Sequence, residues 1–325
     1  MQKISIITPS FNQGNYIEQT INSVLSQNYP NLEYIIIDGG STDNSIEIIK
    51  KYEKHLSYWI SEKDNGQSDA INKGLKMASG AVVNWLNSDD YYTENTLHKV
   101  GEAFKNEATN VFCGRSRILE NGIEIRQNKG TDIYSTIEKT IGFARIDQPE
   151  TFFRKSCIDK IGFLNQQLHY VMDRDWWIRY LLLYGLNGIE KTNDILVNFR
   201  SHPTSKTNSF LEKFDTEAHN VYYTIAQRHQ LLEETIFEKI WQTKSLNNTN
   251  YSTTLNMNQL QQAIHYYFLQ MIFIAYAKNN YTLAKQIIPY IQSDKLQFED
   301  AQELEKIITR IKYLPTWLKK LLNKR

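Results

Sequence analysis

The chain has 325 residues, enough for one large domain or two smaller ones. Lys and Arg number 37 against 36 Asp and Glu, a formal net charge of +1, so no overall field favours nucleic acid and no nucleic-acid partner is expected. Apolar residues make up 41%, which excludes global disorder, and the two cysteines, Cys113 and Cys157, lack metal-site spacing and fit a reduced, cytoplasmic setting.

The amino end, "MQKISIITPSFN", reads as a strand after one basic residue, without the apolar length or cleavage site of a signal peptide. From there to about residue 100 strands alternate with helices. "KISIITPSF" is a β-branched strand, and "NYIEQTINSVLSQ" carries Ile17, Ile21, Val24 and Leu25 at helical spacing. "LEYIIIDGG" is an apolar strand, "NSIEIIKKYEK" a helix, "LSYWISEKDNG" a strand and loop. "QSDAINKGLKMASG" is a helix closed by Gly80, and "AVVNWLNSDD" is the next strand. This rhythm predicts parallel pairing with helices on both faces, and ligands in such sheets bind beyond the carboxyl ends of the strands. Polar clusters fall at those ends: Ser10 and Asn12, Asp38 to Asp43, Glu62 to Asp64, and Asn87 to Asp90.

Farther on, "TNVFCGRSRILE" and "GIEIRQN" predict a hairpin about Asn121-Gly122. "QPETFFRKSCIDKIG" reads as a strand and a short helix. "DRDWWIRYLLLYG" reads as an amphipathic helix ending at Gly185, and "GIEKTNDILVNFRSH" as short strands. The texture changes after "HPTSKTNS": 1–208 is expected to be one domain and 209–325 a helical region with acceptor, membrane or oligomer contacts. "NNTNYSTT", 247–254, reads as a polar loop or linker. The apolar run 264–277 is too short to cross a bilayer. "RIKYLPTWLKKLLNKR" sets Leu314, Trp317, Leu318, Leu321 and Leu322 beside Lys319, Lys320, Lys324 and Arg325. Such a segment suits either an anionic membrane surface or a docked terminal helix.

Two adjacent carboxylates, Asp89 and Asp90, at the end of an apolar strand call for a neutralising partner. They can cap the following helix. Beside a polar crevice they can also hold a hard divalent cation that bridges a diphosphate.

Five segments in order resemble the family-2 inverting glycosyltransferases of the glycosyltransferase-A fold: "SIITPSFNQGNYIEQTINSVLSQ", "EYIIIDGGSTDNS", "NGQSDAINKGLKMASG", "WLNSDD" and "DRDWWIRYL". They span roughly 3–207. The resemblance implies an α/β fold, a Rossmann-like mixed sheet flanked by helices, followed by an α-helical C-terminal region. It implies a donor-nucleotide site at Thr8, Pro9, Phe11, Asp38, Asp64, Asp69, Asn87 and Ser88, with Phe11 stacking on the base. It implies Mn²⁺ or Mg²⁺ held by Asp89, Asp90 and His202, with Lys206 near phosphate oxygens. The family's Asp-any-Asp motif is altered here, because Asn87 stands where the first acid would be, and Gly39 follows Asp38 where many relatives carry a second acid. Asp173 falls on the base position, with Asp175 as the alternative. A helix N-terminus there favours the ionised carboxylate. Gln148, Glu150 and Trp176 are the acceptor candidates. The expected donor is a nucleotide diphosphate sugar, UDP-sugar favoured. The acceptor is a glycan or lipid-linked glycan of a bacterial surface polysaccharide or lipopolysaccharide, made at the inner face of the membrane. A catalytically silent nucleotide-sugar or glycan-binding module is the alternative reading. A nucleotidyltransferase fits less well, because no glycine-rich, Arg/Lys-bearing loop follows the first strand.

Overall fold

The computed structural model describes residues 1–202 and 211–315. Lys206 and the amphipathic tail from residue 316 onward lie outside the described residues.

β1 (Ile4–Ser10), α1 (Ile17–Leu25), β2 (Leu32–Asp38), α2 (Ser45–Lys51), β3 (Tyr58–Ser61), α3 (Gln67–Met77) and β4 (Val82–Trp85) follow the predicted alternation. After β4 come β5 (Tyr91–Tyr92), α4 (Thr96–Ala103), β6 (Val111–Glu120), β7 (Ile123–Gln127), α5 (Ile137–Gly142), β8 (Thr151–Arg154), α6 (Lys155–Ile161), α7 (Met172–Tyr184) and β9 (Ile189–Ser201). One sheet runs β3-β2-β1-β4-β8-β6-β9-β5, with β7 paired to β6. The first four strands are parallel and β8 is antiparallel to both β4 and β6, so the sheet is mixed. Register aligns Ser10 with Asp38 and Asp38 with Ser61, which brings the predicted polar clusters to one rim.

The hairpin turns where expected, with positive φ at Asn121 and Gly122. The segment read as short strands is one long strand, β9, whose pairing with β6 shifts register twice. Helix α7 departs from its amphipathic reading, because Met172 and every residue from Asp175 to Leu182 are buried. The helical region covers the face that would otherwise meet water.

That region contains α8 (Leu211–Arg228), α9 (Glu234–Ile240), α10 (Met257–Ala277), α11 (Tyr281–Ile287) and α12 (Phe298–Tyr313). Alternate residues of the central strands feed two cores. Ile4, Ile6, Ile36 and Val82 pack with α1, α2 and α4. Ile7, Ile35, Val83 and Trp85 face α3 and α7, and this core continues without a break to Ile311 of α12. The polar stretch 247–254 is docked onto α7: Tyr251 is buried and Thr254 N–H donates to Leu182 O at 3.0 Å. Among the described residues no helix is long and apolar enough to cross a membrane. Cys113 and Cys157 are free and buried.

Candidate active site

The loop after β1 is stitched to the loop after β2. Asn12 takes a left-handed conformation, its Oδ1 accepts from Thr42 N at 2.8 Å, and its own N–H donates to Ser41 Oγ at 2.8 Å. The turn leaves Phe11 outside at 58% exposure, a bare ring at the carboxyl end of the sheet. Its neighbours in the motif point inward. Thr8 and Pro9 are buried, and Thr8 Oγ1 lies 3.0 Å from Tyr34 Oη inside the sheet. Both lie shortly before the exposed ring in the chain.

Asp38 is also interior. Its carboxylate accepts from Gly40 N, Ser41 N, Ser41 Oγ and Ser61 Oγ at 2.5–3.1 Å, so it shapes the rim. The rim carboxylate is Asp64. It accepts Gly66 N at 2.8 Å, and its Oδ2 would lie 2.5 Å from a Cβ placed on Gly39. Gly39 is thus the space that Asp64 fills. Asp69 accepts from Asn65 N at 3.1 Å and from Gln166 Nε2 at 2.8 Å. Gln67 Nε2 donates to Asn87 Oδ1 at 2.8 Å, fixing the turn after β4 to the start of α3.

The acid pair divides. Asp89 is partly open, and its Oδ2 faces His202 Nε2 at 3.1 Å. His202 stacks on Tyr16 with ring centres 4.9 Å apart. Asp90 is buried, with Oδ1 accepting Arg200 N at 3.0 Å and Oδ2 without a protein partner. Burial, then the charge of Asp89, pushes its carboxyl well above the usual range. Asp90 is therefore the interior member of the pair, and Asp89 the open one beside His202. Ser88 is buried too, its carbonyl accepting from Thr20 Oγ1 at 2.9 Å. Arg200, unnoticed in the sequence, organises the turn: its guanidinium donates to Asp89 O and lies 4.5 Å from the centre of the Tyr91 ring. Its position two residues before His202 was the available signal.

The remaining pair, Asp89 and His202, suits a divalent cation that takes its other ligands from phosphate and water. Among the described residues no group of three or more acidic, His or Cys side chains could hold a metal alone.

The start of α7 meets the start of α3, where Ser68 Oγ lies 2.9 Å from Met172 Sδ. Asp173 is partly buried, with Oδ1 accepting Arg174 N at 2.7 Å. Burial raises its pKa to about 6, outweighing those backbone hydrogen bonds and the Arg174 charge. The helix start alone does not hold it low. Asp175 is wholly interior, paired with Arg179 at 2.9 Å and accepting Tyr251 Oη at 2.5 Å. The acceptor candidates are interior as well. Gln148 Nε2 donates to Asn84 Oδ1 and Trp85 O at 2.7 and 2.8 Å, and Trp176 Nε1 to Gly162 O at 2.8 Å between Trp85 and Phe153. Glu150 is buried with Oε1 unpartnered, and burial, then Asp147, pushes its carboxyl well up.

A mixed sheet flanked by helices, followed by a helical C-terminal region, is the glycosyltransferase-A fold. The sequence model of glycosyl transferase family 2 matches residues 5–179, more than half the chain, and the chain belongs to that family. It is similar to an uncharacterised glycosyltransferase of Rickettsia typhi, 26% identical over 225 residues, covering 65% of this chain and 68% of that one. It is 38% identical over 125 residues to the putative teichuronic acid biosynthesis glycosyltransferase TuaG of Bacillus subtilis, covering 37% of this chain and 49% of TuaG. Its fold is similar to that of S. aureus TarS 1–349 in complex with UDP-GlcNAc, with a TM-score of 0.65 at 18% identity over 99% of this chain and 89% of that one.

Proposed function

We propose that the protein transfers a sugar, with inversion, from a nucleotide diphosphate sugar to a hydroxyl of a glycan or lipid-linked glycan, with Asp173 as the base. The observation that carries this reading is Asp173 itself, a half-buried carboxylate at the start of α7 whose pKa, about 6, is matched to taking a proton near neutrality. Phe11 offers the base a stacking face, Asp64 and Asn87 offer acceptors for the base and ribose, and Asp69 lies at the edge of the same rim. Asp89 and His202 would hold Mn²⁺ or Mg²⁺, which when bound neutralises the diphosphate leaving group. Asp173 removes the acceptor hydroxyl proton as that oxygen bonds to the anomeric carbon. The bond from that carbon to the phosphate oxygen breaks on the opposite face, and the nucleoside diphosphate departs with the electron pair. The UDP-GlcNAc complex of TarS supports a UDP-sugar donor, and the likeness to TuaG, a putative teichuronic acid biosynthesis glycosyltransferase, supports a surface polysaccharide as the setting.

The test is a panel of UDP-, GDP- and dTDP-sugars with Mn²⁺, read as release of free nucleoside diphosphate and as a shift in melting temperature. At least one donor should do both. Asp173→Asn should cut turnover on the order of a hundredfold to ten-thousandfold and leave donor affinity unchanged. Donor binding without turnover by the unaltered chain would identify a silent binding module, and release of pyrophosphate a nucleotidyltransferase.

A further inference from the structure

Residues 169–174, which lead into α7 and carry Asp173, are held from outside the sheet by two helices of the C-terminal region. The free N–H groups at the start of a helix are ordinarily met by a nearby side chain. Val171, at the cap position of α7, makes no such bond. Glu217 of α8 instead holds the segment that leads into the helix. Its carboxylate accepts from Tyr170 N at 2.8 Å, from Val171 N at 3.1 Å and from His169 N at 2.9 Å.

The residue after Asp173 is anchored by the same region. Arg174 Nη2 donates to Gln270 Oε1 of α10 at 2.9 Å and lies 3.4 Å from Tyr222 Oη of α8. The guanidinium lies 5.4 and 5.9 Å from the ring centres of Tyr222 and Tyr267. Tyr222 Oη in turn donates to Ile141 O of α5 at 2.5 Å. Arg174 Nε is buried without a partner. A buried guanidinium whose direct partners are neutral is costly where an apolar side chain would pack, so its charge needs a use. The carboxylate next to it in the chain is Asp173, whose Oδ1 accepts the Arg174 N–H.

We propose that Glu217, Arg174 and Gln270 are positioning residues for Asp173, so that the helical region completes the active site. Glu217 fixes the approach of the chain to α7. Arg174, clamped by Gln270 and the two phenols, fixes the residue beside the base and favours its ionised form. This rests on the proposed role of Asp173. The other groups around that carboxylate are Asp147, from the loop before β8, which opposes ionisation, and the phenols of Tyr222 and Tyr267 beyond the guanidinium.

The experiment compares Glu217→Gln, Arg174→Met, Arg174→Lys and Gln270→Leu in the full chain, using the nucleotide sugar selected by the donor panel. Turnover, donor dissociation constant, melting temperature and the pH dependence of kcat are measured. Glu217→Gln and Arg174→Met should lower kcat on the order of ten- to a hundredfold with donor affinity unchanged. Arg174→Met should also move the ascending limb of the kcat profile to higher pH, because the cation that favours the ionised base is gone, and Arg174→Lys should restore part of both. In an Asp173→Asn background Arg174→Met should cost nothing further. Gln270→Leu removes one hydrogen bond and carries the test should Arg174→Met fail to bind donor. A lower melting temperature with unaltered kcat and pH limb would overturn the proposal and leave a structural brace. Near-normal turnover of Asp173→Asn would overturn the base assignment, and the positioning role with it.

Discussion

At the scale of the residue, neighbours in a motif do not share an environment. Asp89 and Asp90 are adjacent, yet one faces His202 and the other is buried against the Arg200 backbone. Asp89→Ala and His202→Ala should each abolish the Mn²⁺-dependent gain in UDP affinity measured by calorimetry, and Asp89→Ala should lower turnover on the order of a hundredfold or more. Equal UDP affinity with Mn²⁺ and with excess chelator in the unaltered chain would remove the cation from the mechanism. A second residue-scale prediction concerns Glu33. Although buried, it accepts from Lys3 Nζ, Ser5 Oγ, Ser79 Oγ and Ser79 N at 2.5–2.7 Å, and against the cost of burial these bonds lower its pKa to about 2. A carboxylate depressed by folding stabilises the fold above its ordinary value of 4.5, and that contribution is lost as pH falls through the folded value. Glu33→Gln should therefore melt lower than the parent at pH 7, and the gap should close as pH falls toward about 2. A gap of constant size across that range would show that charge is not the cause.

At the scale of the element, the parallel half of the sheet was legible because β-branched runs alternate with helical spacing, and the rim clusters fall at strand ends by topology alone. Which rim side chains face out was not legible. Thr8 against Phe11, or Asp38 against Asp64, is decided by strand pleat and by serine hydroxyls from other loops, none of which is local in sequence. Helix α7 was found but its environment was not, since its outer face is apolar for a cover supplied by later residues. Glu217 left no signal at all, being an ordinary acid on an ordinary helix until the chain folds. The close crossing of α5 and α10 depends on Gly142. A Cβ there would lie 2.3 Å from Tyr266 Cβ and 2.6 Å from Ala263 O, both too rigid to retreat. Gly142→Ala should destabilise the protein by about 1–3 kcal/mol, read as a lower urea midpoint. An unchanged midpoint would mean that the two helices slide apart freely.

At the scale of the whole molecule, the sheet and the helices share one core, and residues on both sides of the expected boundary at 208 contribute to it. Lys139 of α5 reaches Asp300 of α12 at 2.7 Å, and Gln259 Nε2 of α10 reaches Glu138 Oε1 at 2.9 Å, so polar contacts cross it as well. The cover over α7 has a consequence in time. The ribosome makes the chain from its amino end, and the sheet, Phe11, Asp89 and Asp173 all leave the exit tunnel before α8 and α10 do. Until then Arg174 and the apolar outer face of α7 have nothing to pack against. The nascent chain therefore presents Asp173 before Glu217 and Gln270 can hold its neighbours, with the apolar outer face of α7 still uncovered. On the proposed role of Asp173, the emergence of α8 and α10, and not the folding of the first two hundred residues, completes the site.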